Sequence, residues 1–346
     1  MSQTLAQRTN HAGFPKAGEL IEITGAHALG AADRAILNLL YRRAHDSGRL
    51  GEPDAEWEVP LSALRPSRHE SNDRVRDCLE RLMRIVVQVP LPDARTGEPR
   101  IVLTPLFEFF DLSADETRAD ATVRFGVPKK LRPVLVRSNR WGRIKAEVVC
   151  AMTSKYAMAL YELVQLRAGL DRCVEHFSLE RFRDLLGVPP GKLTRGPDFE
   201  RRVIEPAILE VNGLSDMGVR AELTRAHSRA PISGVTLAWW RKEGDAFRAA
   251  YAERSRSKLG RMARLREQVE TVTIGPLALP APSGSASVSL SQPVIEGLAA
   301  APATTAASST PPVPARSPGR PRDRSGEGVV GAVAIAPVQP GAREPR

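Results

Sequence analysis

The chain has 346 residues, which is enough for two globular domains and an unstructured remainder. Hydrophobic residues make up 42% of it, so it can bury real cores and is not a small module held together by disulfides. It has 50 Lys and Arg residues against 40 Asp and Glu residues, which gives a formal net charge of +10. This excess favours a polyanionic partner, such as DNA, RNA or an anionic membrane, over an acidic protein.

The three cysteines, Cys78, Cys150 and Cys173, are scattered and lack the Cys-x-x-Cys or Cys/His spacing of metal sites. This pattern favours reduced thiols in a cytoplasmic protein. The first twenty residues contain no apolar leader, and no apolar run approaches the roughly 20 residues that a membrane helix needs. We therefore expect a cytoplasmic protein with no membrane partner.

Residues 1–25 are expected to form a flexible N-terminal arm, and residues 26–145 a first folded unit. The predicted elements of this unit are a helix at 31–44, a strand at 57–60, a short helix at 61–64, a helix at 73–85, a β-hairpin at 86–110, a strand at 121–127 and a helix from Pro128. The longer helices are predicted from apolar residues at helical spacing, such as Val75, Leu79 and Leu82.

Residues 146–245 repeat the same order of elements. Helices are predicted at 153–169, 178–187 and 197–213, followed by a β-hairpin at 218–240. Ser178 can cap the second helix and Gly187 can end it. Pro206 is expected to kink the third helix or mark a short break, since proline has no N–H and crowds the preceding turn.

Two helices, a third helix and a β-hairpin make a winged helix, so the fold class is α+β with two such domains in tandem. A basic helix is expected next, at 246–273, where it could follow a DNA backbone or simply precede a linker. From about residue 274 the composition turns to Pro, Ala, Ser and Gly, which cannot bury enough apolar surface to fold. Residues 274–346 are therefore expected to form a disordered tail.

Three tests for catalysis fail, so we expect no enzymatic activity and no cofactor. Residues 187–193 resemble a phosphate-binding loop, but one residue is missing between the glycines and Leu193 stands where a magnesium-binding hydroxyl belongs. The six histidines never form the His-x-His pair of a metal-dependent nickase. The acidic loop with Asp111, Asp115 and Asp120 has irregular spacing, which favours a solvated loop over a cation site.

The third helix of a winged helix enters the major groove, so its outward face needs side chains that reach phosphates or guanine edges. In the second unit the candidate DNA-binding residues are Lys192, Arg195, Arg201, Arg202, Arg225 and Arg229. The matching candidates of the first unit are Arg65, Arg68, Arg74 and Arg76. Nearby carboxylates such as Glu200 and Glu205 leave a second reading open, in which these are ordinary solvated arginines.

Three segments of the second unit, SKYAMALYELV, SLERFRDLLG and DFERRVIEPAILEVN, are followed by a basic hairpin. Together they resemble the iteron-binding Rep family of plasmid replication initiators, which are built from two winged helices. The resemblance is strongest over about 153–240 and weaker over 30–136. Leu193 departs from it, because the family usually has a tyrosine in the loop before the recognition helix.

The resemblance implies a protein that binds direct repeats, or iterons, in the double-stranded DNA of a plasmid origin. It implies that the C-terminal winged helix makes the principal base contacts and that the N-terminal one contributes DNA contacts and dimerisation, in a homodimer in equilibrium with the monomer. Melting of an adjacent segment with the host initiator, recruitment of the replicative helicase and repression of its own promoter are further implications. The alternative is a winged-helix transcriptional regulator without an initiator role.

Overall fold

The structure is a computed structural model. It describes residues 12–23, 25–67, 69–93, 95–227 and 230–268. All of them belong to one compact unit, Met1–Pro282. The expected tail at 274–346, residues 1–11 of the expected arm and the candidates Arg68 and Arg229 lie outside the described residues.

The first winged helix follows the predicted order of elements. Its elements are β1 (Phe14–Ala17), α1 (Gly18–Ile21), a 3-10 turn (Ala26–Ala28), α2 (Ala31–Asp46), β2 (Glu56–Pro60), a 3-10 turn (Leu61–Leu64), α3 (Asn72–Met83), β3 (Val86–Pro92), β4 (Pro99–Pro105), β5 (Phe109–Leu112), β6 (Thr122–Gly126), α4 (Arg132–Arg137) and β7 (Trp141–Ile144). Ser71 caps the start of α3 by accepting a hydrogen bond from the Arg74 N–H, and the helix buries Val75, Leu79 and Leu82.

The second winged helix also has the predicted helices and hairpin. Its elements are α5 (Ala146–Ala151), α6 (Lys155–Arg167), β8 (Val174–Ser178), α7 (Leu179–Leu186), α8 (Gly196–Phe199), a π-helical turn (Glu200–Ile204), α9 (Glu205–Leu214), β9 (Met217–Arg225), β10 (Ile232–Arg241), α10 (Gly244–Ser255) and α11 (Arg261–Gln268). The described residues form four antiparallel sheets, with strand orders β1-β7, β2-β6-β5, β3-β4 and β8-β10-β9.

The expected flexible arm is wrong over its second half. Strand β1 pairs with β7, with Phe14 opposite Ile144, and both side chains are buried. Leu20 and Ile21 of α1 are buried as well. The strand has only four residues and its partner is about 130 residues away, so no local pattern in the sequence indicates the pairing.

Two further strand assignments differ from the prediction. The run at 101–110 is not one strand, because it bends at Leu106 and Phe107, which are fully buried, and continues as β5 in the sheet with β2 and β6. Strand β8, which the sequence analysis missed, pairs with β10 and sets Phe177 opposite Val235. Both strands have no more than five residues, too few for a clear alternation of apolar and polar side chains.

The break predicted at Pro206 is present as a π-helical turn. Helices α8 and α9 form one continuous segment in which residues Glu200–Ile204 adopt the wider π form immediately before Glu205 and Pro206. Proline offers no N–H to the carbonyl four residues earlier and its ring crowds that carbonyl, so the preceding turn widens. Arg201 and Arg202 lie in this widened turn.

The predicted basic helix is divided in two within residues 246–268, because α10 and α11 are separated by a break that ends at Gly260, whose φ is 68°. Glu253 of α10 is 1% exposed and accepts three ion pairs across or beside this break. Its partners are Arg256, Arg261 and Arg264. Leu265 packs on Gly213 of α9 so closely that a Cβ added to Gly213 would lie only 2.1 Å from the Leu265 side chain. Several of the basic residues therefore stabilise the protein itself.

Helix α6 lies at the centre of the core. Its residues are buried on every side from Ala157 to Arg167, which goes beyond the single apolar face that its sequence predicts. On one side Lys16 of β1 donates a hydrogen bond of 2.9 Å to Glu162, and Asn38 of α2 donates one of 2.7 Å to the same carboxylate. The two winged helices thus share one hydrophobic core, with a buried polar cluster inside it.

Candidate nucleic-acid interface

The turn between α7 and α8 is held by Arg183, a residue that the sequence analysis did not single out. Its guanidinium donates hydrogen bonds to the carbonyls of Lys192 and Leu193, at 3.0 Å for Leu193, and lies 5.0 Å from the ring of Phe199. Leu193 has a φ of 52°, a conformation that side chains with a Cβ rarely adopt. Arg183 therefore fixes the turn through main-chain acceptors, which leave no signal in the sequence.

Lys192 and Arg195 are presented by this turn. Both are exposed, and neither has an ion-pair partner in the part of the chain that the structure describes. Arg195 is also the N-cap residue of α8, so its side chain stands at the entrance to the helix. Two uncompensated positive charges therefore precede the helix that a helix-turn-helix inserts into DNA.

Arg201 and Arg202 point away from the core, on the π-helical turn. Their side chains are 70% and 62% exposed, and each approaches Asp198, at 3.3 Å and 3.9 Å. Ion pairs this exposed contribute little free energy, because water screens the charges and both side chains stay mobile. Either arginine can therefore exchange Asp198 for a base or a phosphate at small cost.

Arg225 is held within the protein. It donates a hydrogen bond of 3.1 Å to the carbonyl of Ala230, and its guanidinium lies 3.8 Å from Glu200. With 28% of its side chain exposed, it ties the end of the β9–β10 hairpin to the π-helical turn. Its geometry suits a residue that positions the wing, in addition to any contact with DNA.

Acidic side chains alternate with these basic ones. Asp198, Glu200 and Glu205 line an open groove together with Arg195 and Arg201. Carboxylates repel phosphates but can accept hydrogen bonds from the amino group of cytosine. A mixed face of this kind is better suited to reading base edges than to clamping a phosphate backbone of any sequence.

The candidate residues of the first winged helix are more fully occupied. Arg65 donates two hydrogen bonds to Asn72, at 2.6 Å and 3.1 Å, and so braces the start of α3. Arg76 lies 2.6 Å from Glu116, and Arg74 lies 4.0 Å from Glu70. The structure therefore brings Arg74 and Arg76 to the exposed side of α3 but commits Arg65 to the fold.

The described residues contain no group of three or more His, Cys, Asp or Glu side chains that could hold a metal ion. The Asp111 and Asp120 carboxylates pair with Arg124 and Arg118. Burial raises the pKa of the Cys78 thiol to about 12, and the Asp33 carboxylate acts in the same direction. Within the described part of the chain, no helix combines the length and apolarity needed to cross a bilayer.

Two winged helices in tandem, the second with an exposed basic turn and helix, define a DNA-binding protein of the helix-turn-helix class. Two family models match the chain, "Initiator Replication protein, WH1" over residues 16–165 and "Initiator Rep protein, WH2" over residues 178–239. The chain therefore belongs to the family of initiator Rep proteins, and it is a DNA-binding plasmid replication initiator. The fold class expected from the sequence is confirmed.

Among solved structures, the chain is similar to one described as the crystal structure of Pi initiator protein in complex with iteron DNA. The two share 15% sequence identity and a TM-score of 0.49, over 66% of this chain and 97% of that chain. No curated protein matches the chain. Every candidate DNA-binding residue lies within one of the two regions that match the family models.

Proposed function

We propose that the protein initiates replication by binding direct repeats in the double-stranded DNA of a plasmid origin, chiefly through its second winged helix. The observation that carries this proposal is that Lys192, Arg195, Arg201 and Arg202 lie exposed on one turn and on the helix that follows it. Arginine can bind the O6 and N7 atoms of guanine with two hydrogen bonds. The carboxylates beside these residues disfavour indiscriminate phosphate binding.

Fluorescence anisotropy tests the proposal, with a labelled duplex from the origin of the plasmid and a scrambled duplex of equal length. At about 150 mM salt we expect origin DNA to bind at least about 1,000-fold more tightly. Arg201→Ala or Arg202→Ala should weaken origin binding by about 1 to 3 kcal/mol if the residue reads a base. Arg49→Ala is the matched control, since this exposed arginine forms an i,i+3 ion pair with Glu52 in the turn that follows α2. Equal affinity for both duplexes would contradict the proposal.

The first winged helix is proposed to add accessory contacts through Arg74 and Arg76. Both are exposed on α3, the helix equivalent to α8–α9. Each could leave its carboxylate partner and bind a DNA phosphate instead. Arg76→Ala should therefore weaken binding to origin and scrambled duplexes by the same small factor. A loss confined to origin DNA would instead indicate base contact by this helix.

We also propose that two copies of the chain associate through the β3–β4 ribbon. One face of this ribbon exposes Val86, Ile101 and Leu103, at 55%, 69% and 66%. The ribbon has only two strands, and no third strand among the described residues covers either edge. A second copy related by a twofold axis brings the same apolar face against itself, which supports a homodimer in equilibrium with the monomer.

Sedimentation equilibrium tests this association. Replacing Ile101 and Leu103 together by serine removes two large side chains from the shared face, so we expect dimer dissociation to become at least about 10-fold more favourable. Leu259→Ser is the control, because Leu259 is 86% exposed but lies far along the chain from the ribbon. An unchanged dimer in the double variant would assign the interface to another surface.

Bound at the repeats in the cytoplasm, the protein is proposed to open an adjacent AT-rich segment with the host initiator, recruit the replicative helicase and repress its own promoter. Binding free energy drives these steps, and the chain makes or breaks no covalent bond. Permanganate footprinting of a supercoiled origin plasmid, with and without host initiator, should report unpaired thymines only when this protein is present. Promoter repression without opening would favour the transcriptional regulator.

A further inference from the structure

The π-helical turn lies in the helix that is proposed to enter the major groove. It spans Glu200–Ile204 and joins α8 to α9 without a gap. Turns of this kind are rare and occur frequently at functional sites. Pro206 follows the turn directly and is only partly buried, so its own side chain contributes little to the core. A rare turn at this position indicates a role in DNA binding.

The π-helical turn changes which residues face the core. Phe199 is 1% exposed and Val203 and Ala207 are fully buried, so side chains spaced by four residues share the buried side. An α-helix has about 3.6 residues per turn, so each step of four residues rotates the side chain onward by about 40°. A π-helical turn holds more residues and therefore rotates less per residue. It keeps Phe199 in line with Ala207 and leaves Arg201 and Arg202 on the exposed side.

Two contacts connect the π-helical turn to the other parts of the candidate interface. Phe199, which precedes it, has its ring centre 5.0 Å from the guanidinium of Arg183, the residue that fixes the α7–α8 turn by binding the carbonyl of Lys192. Glu200, its first residue, lies 3.8 Å from Arg225 at the end of the β9–β10 hairpin. The position of the basic α7–α8 turn and that of the wing therefore both depend on the π-helical turn.

Pro206 accounts for the π-helical turn. In a continuous α-helix the residue at position 206 donates its N–H to the carbonyl of Arg202, whereas proline has no N–H and its ring crowds that carbonyl. Alanine at this position can make the bond and favours the α form, so residues 196–214 would close as one regular α-helix. A regular helix anchored by α9 would rotate Phe199 out of line with the core and would move the exposed arginines with it.

We propose that Pro206 is a positioning residue for sequence recognition. Through the π-helical turn it sets where the basic α7–α8 turn, the arginines of the helix and the wing lie relative to one another. This inference rests on the proposed function, because it concerns how the same surface matches a repeat. Bases are read only when these groups reach their partners together, whereas general attraction to DNA depends on charge. A change of helical phase therefore reduces discrimination between sequences more than affinity for DNA of any sequence.

The test is Pro206→Ala in the full chain, which restores the missing N–H and leaves every charge in place. We expect affinity for the origin duplex to fall at least about 10-fold and affinity for the scrambled duplex to stay within about 2-fold of wild type. Hydrogen–deuterium exchange should become faster over residues 188–199, because Phe199 no longer supports the α7–α8 turn. Pro133→Ala is the matched control, since this proline lies in the first turn of α4, where its missing N–H has no helical partner. It should change neither measurement.

The outcomes separate this inference from the function on which it rests. A wild-type chain that discriminates between the duplexes, with a Pro206→Ala variant that discriminates equally well, overturns the inference and leaves the proposed function standing. Equal loss of affinity for both duplexes overturns it as well. So does loss of cooperative thermal unfolding in the variant, which would make Pro206 a residue of the folded core. A wild-type chain without preference for the origin contradicts the proposed function, and the exchange measurement then decides the inference, because unchanged exchange over 188–199 overturns it.

Discussion

The two winged helices carry arginines on equivalent helices but use them differently. In the first, Arg76 lies 2.6 Å from Glu116, and Arg81 lies 2.9 Å from Asp33, whose side chain is 3% exposed. In the second, Arg195 has no ion-pair partner within the described residues. The first unit uses much of its positive charge to hold its own elements together, whereas the second leaves Lys192, Arg195, Arg201 and Arg202 available to a ligand.

Counting charges along the helices gives the opposite impression. Helix α3 has three arginines and three acidic residues, while the segment 196–214 has two arginines and four acidic residues. The first helix therefore looks the more basic of the two. What decides availability is where the acidic partners lie, because a buried or braced carboxylate holds its arginine and an exposed one does not.

The largest effect is expected from reversing charge in the two helices in parallel. Arg201→Glu with Arg202→Glu should weaken origin binding by about 2 to 6 kcal/mol, since each truncation alone costs about 1 to 3 kcal/mol when it removes a base contact. Arg74→Glu with Arg76→Glu should cost much less, because the carboxylates that face these arginines, Glu70 and Glu116, are more buried than Asp198 and Arg76 is already held at 2.6 Å. Anisotropy on the same origin duplex measures both, and losses of equal size would abolish the distinction between the two units.

Asp33 tests the structural use of arginine in the first unit. Burial raises the pKa of its carboxyl, but hydrogen bonds, above all from Arg81, then from the Cys78 thiol and the Gly30 N–H, outweigh burial and leave the pKa below its usual value. Its stabilisation is therefore present above the unfolded-state pKa of about 4 and is lost as pH falls through the lower folded-state pKa. Asp33→Asn should reduce the free energy of unfolding by about 2 kcal/mol near pH 7.

Urea denaturation across pH measures this effect. The difference between wild type and Asp33→Asn should shrink as the pH falls below about 4, because the wild-type carboxyl is then protonated as well. Asp198→Asn is the matched control from the second unit, where the carboxylate pairs only with exposed arginines. A comparable loss of stability in both variants would show that exposed and buried partners hold arginine equally.

Much of this fold is predictable from local chemistry. Ser71 and Ser178 cap α3 and α7 as their positions suggest, and Pro206 disturbs the helix where proline must. Strand β1 was not predictable, because its stability comes from a partner more than a hundred residues away. For the candidate site, the sequence indicated which arginines could face DNA but not which are bound within the protein. Arg183 was missed because it donates to a main-chain carbonyl, a group that every residue has.

Arg65→Ala should lower the stability of the fold, whereas Arg195→Ala should lower DNA affinity, each by about the same free energy. Arg65→Ala removes the bonds to Asn72 at the start of α3, so we expect the free energy of unfolding to fall by about 1 kcal/mol with little change in DNA affinity. Arg195→Ala should leave stability unchanged and weaken origin binding by about 1 kcal/mol. Thermal unfolding and anisotropy on both variants give the comparison, and DNA affinity that falls equally in the two would make Arg65 a contact residue.

Lys192 is expected to give the smallest effect and the most specific signature. Its ammonium is a point charge on a flexible stem at the exposed turn, which suits a phosphate rather than a base edge. Lys192→Gln should weaken origin and scrambled duplexes alike, and should reduce the slope of log affinity against log salt by about 0.9, the value for one lost phosphate contact. An unchanged slope would place Lys192 outside the interface and leave Arg195 as the basic contact that this turn offers to DNA.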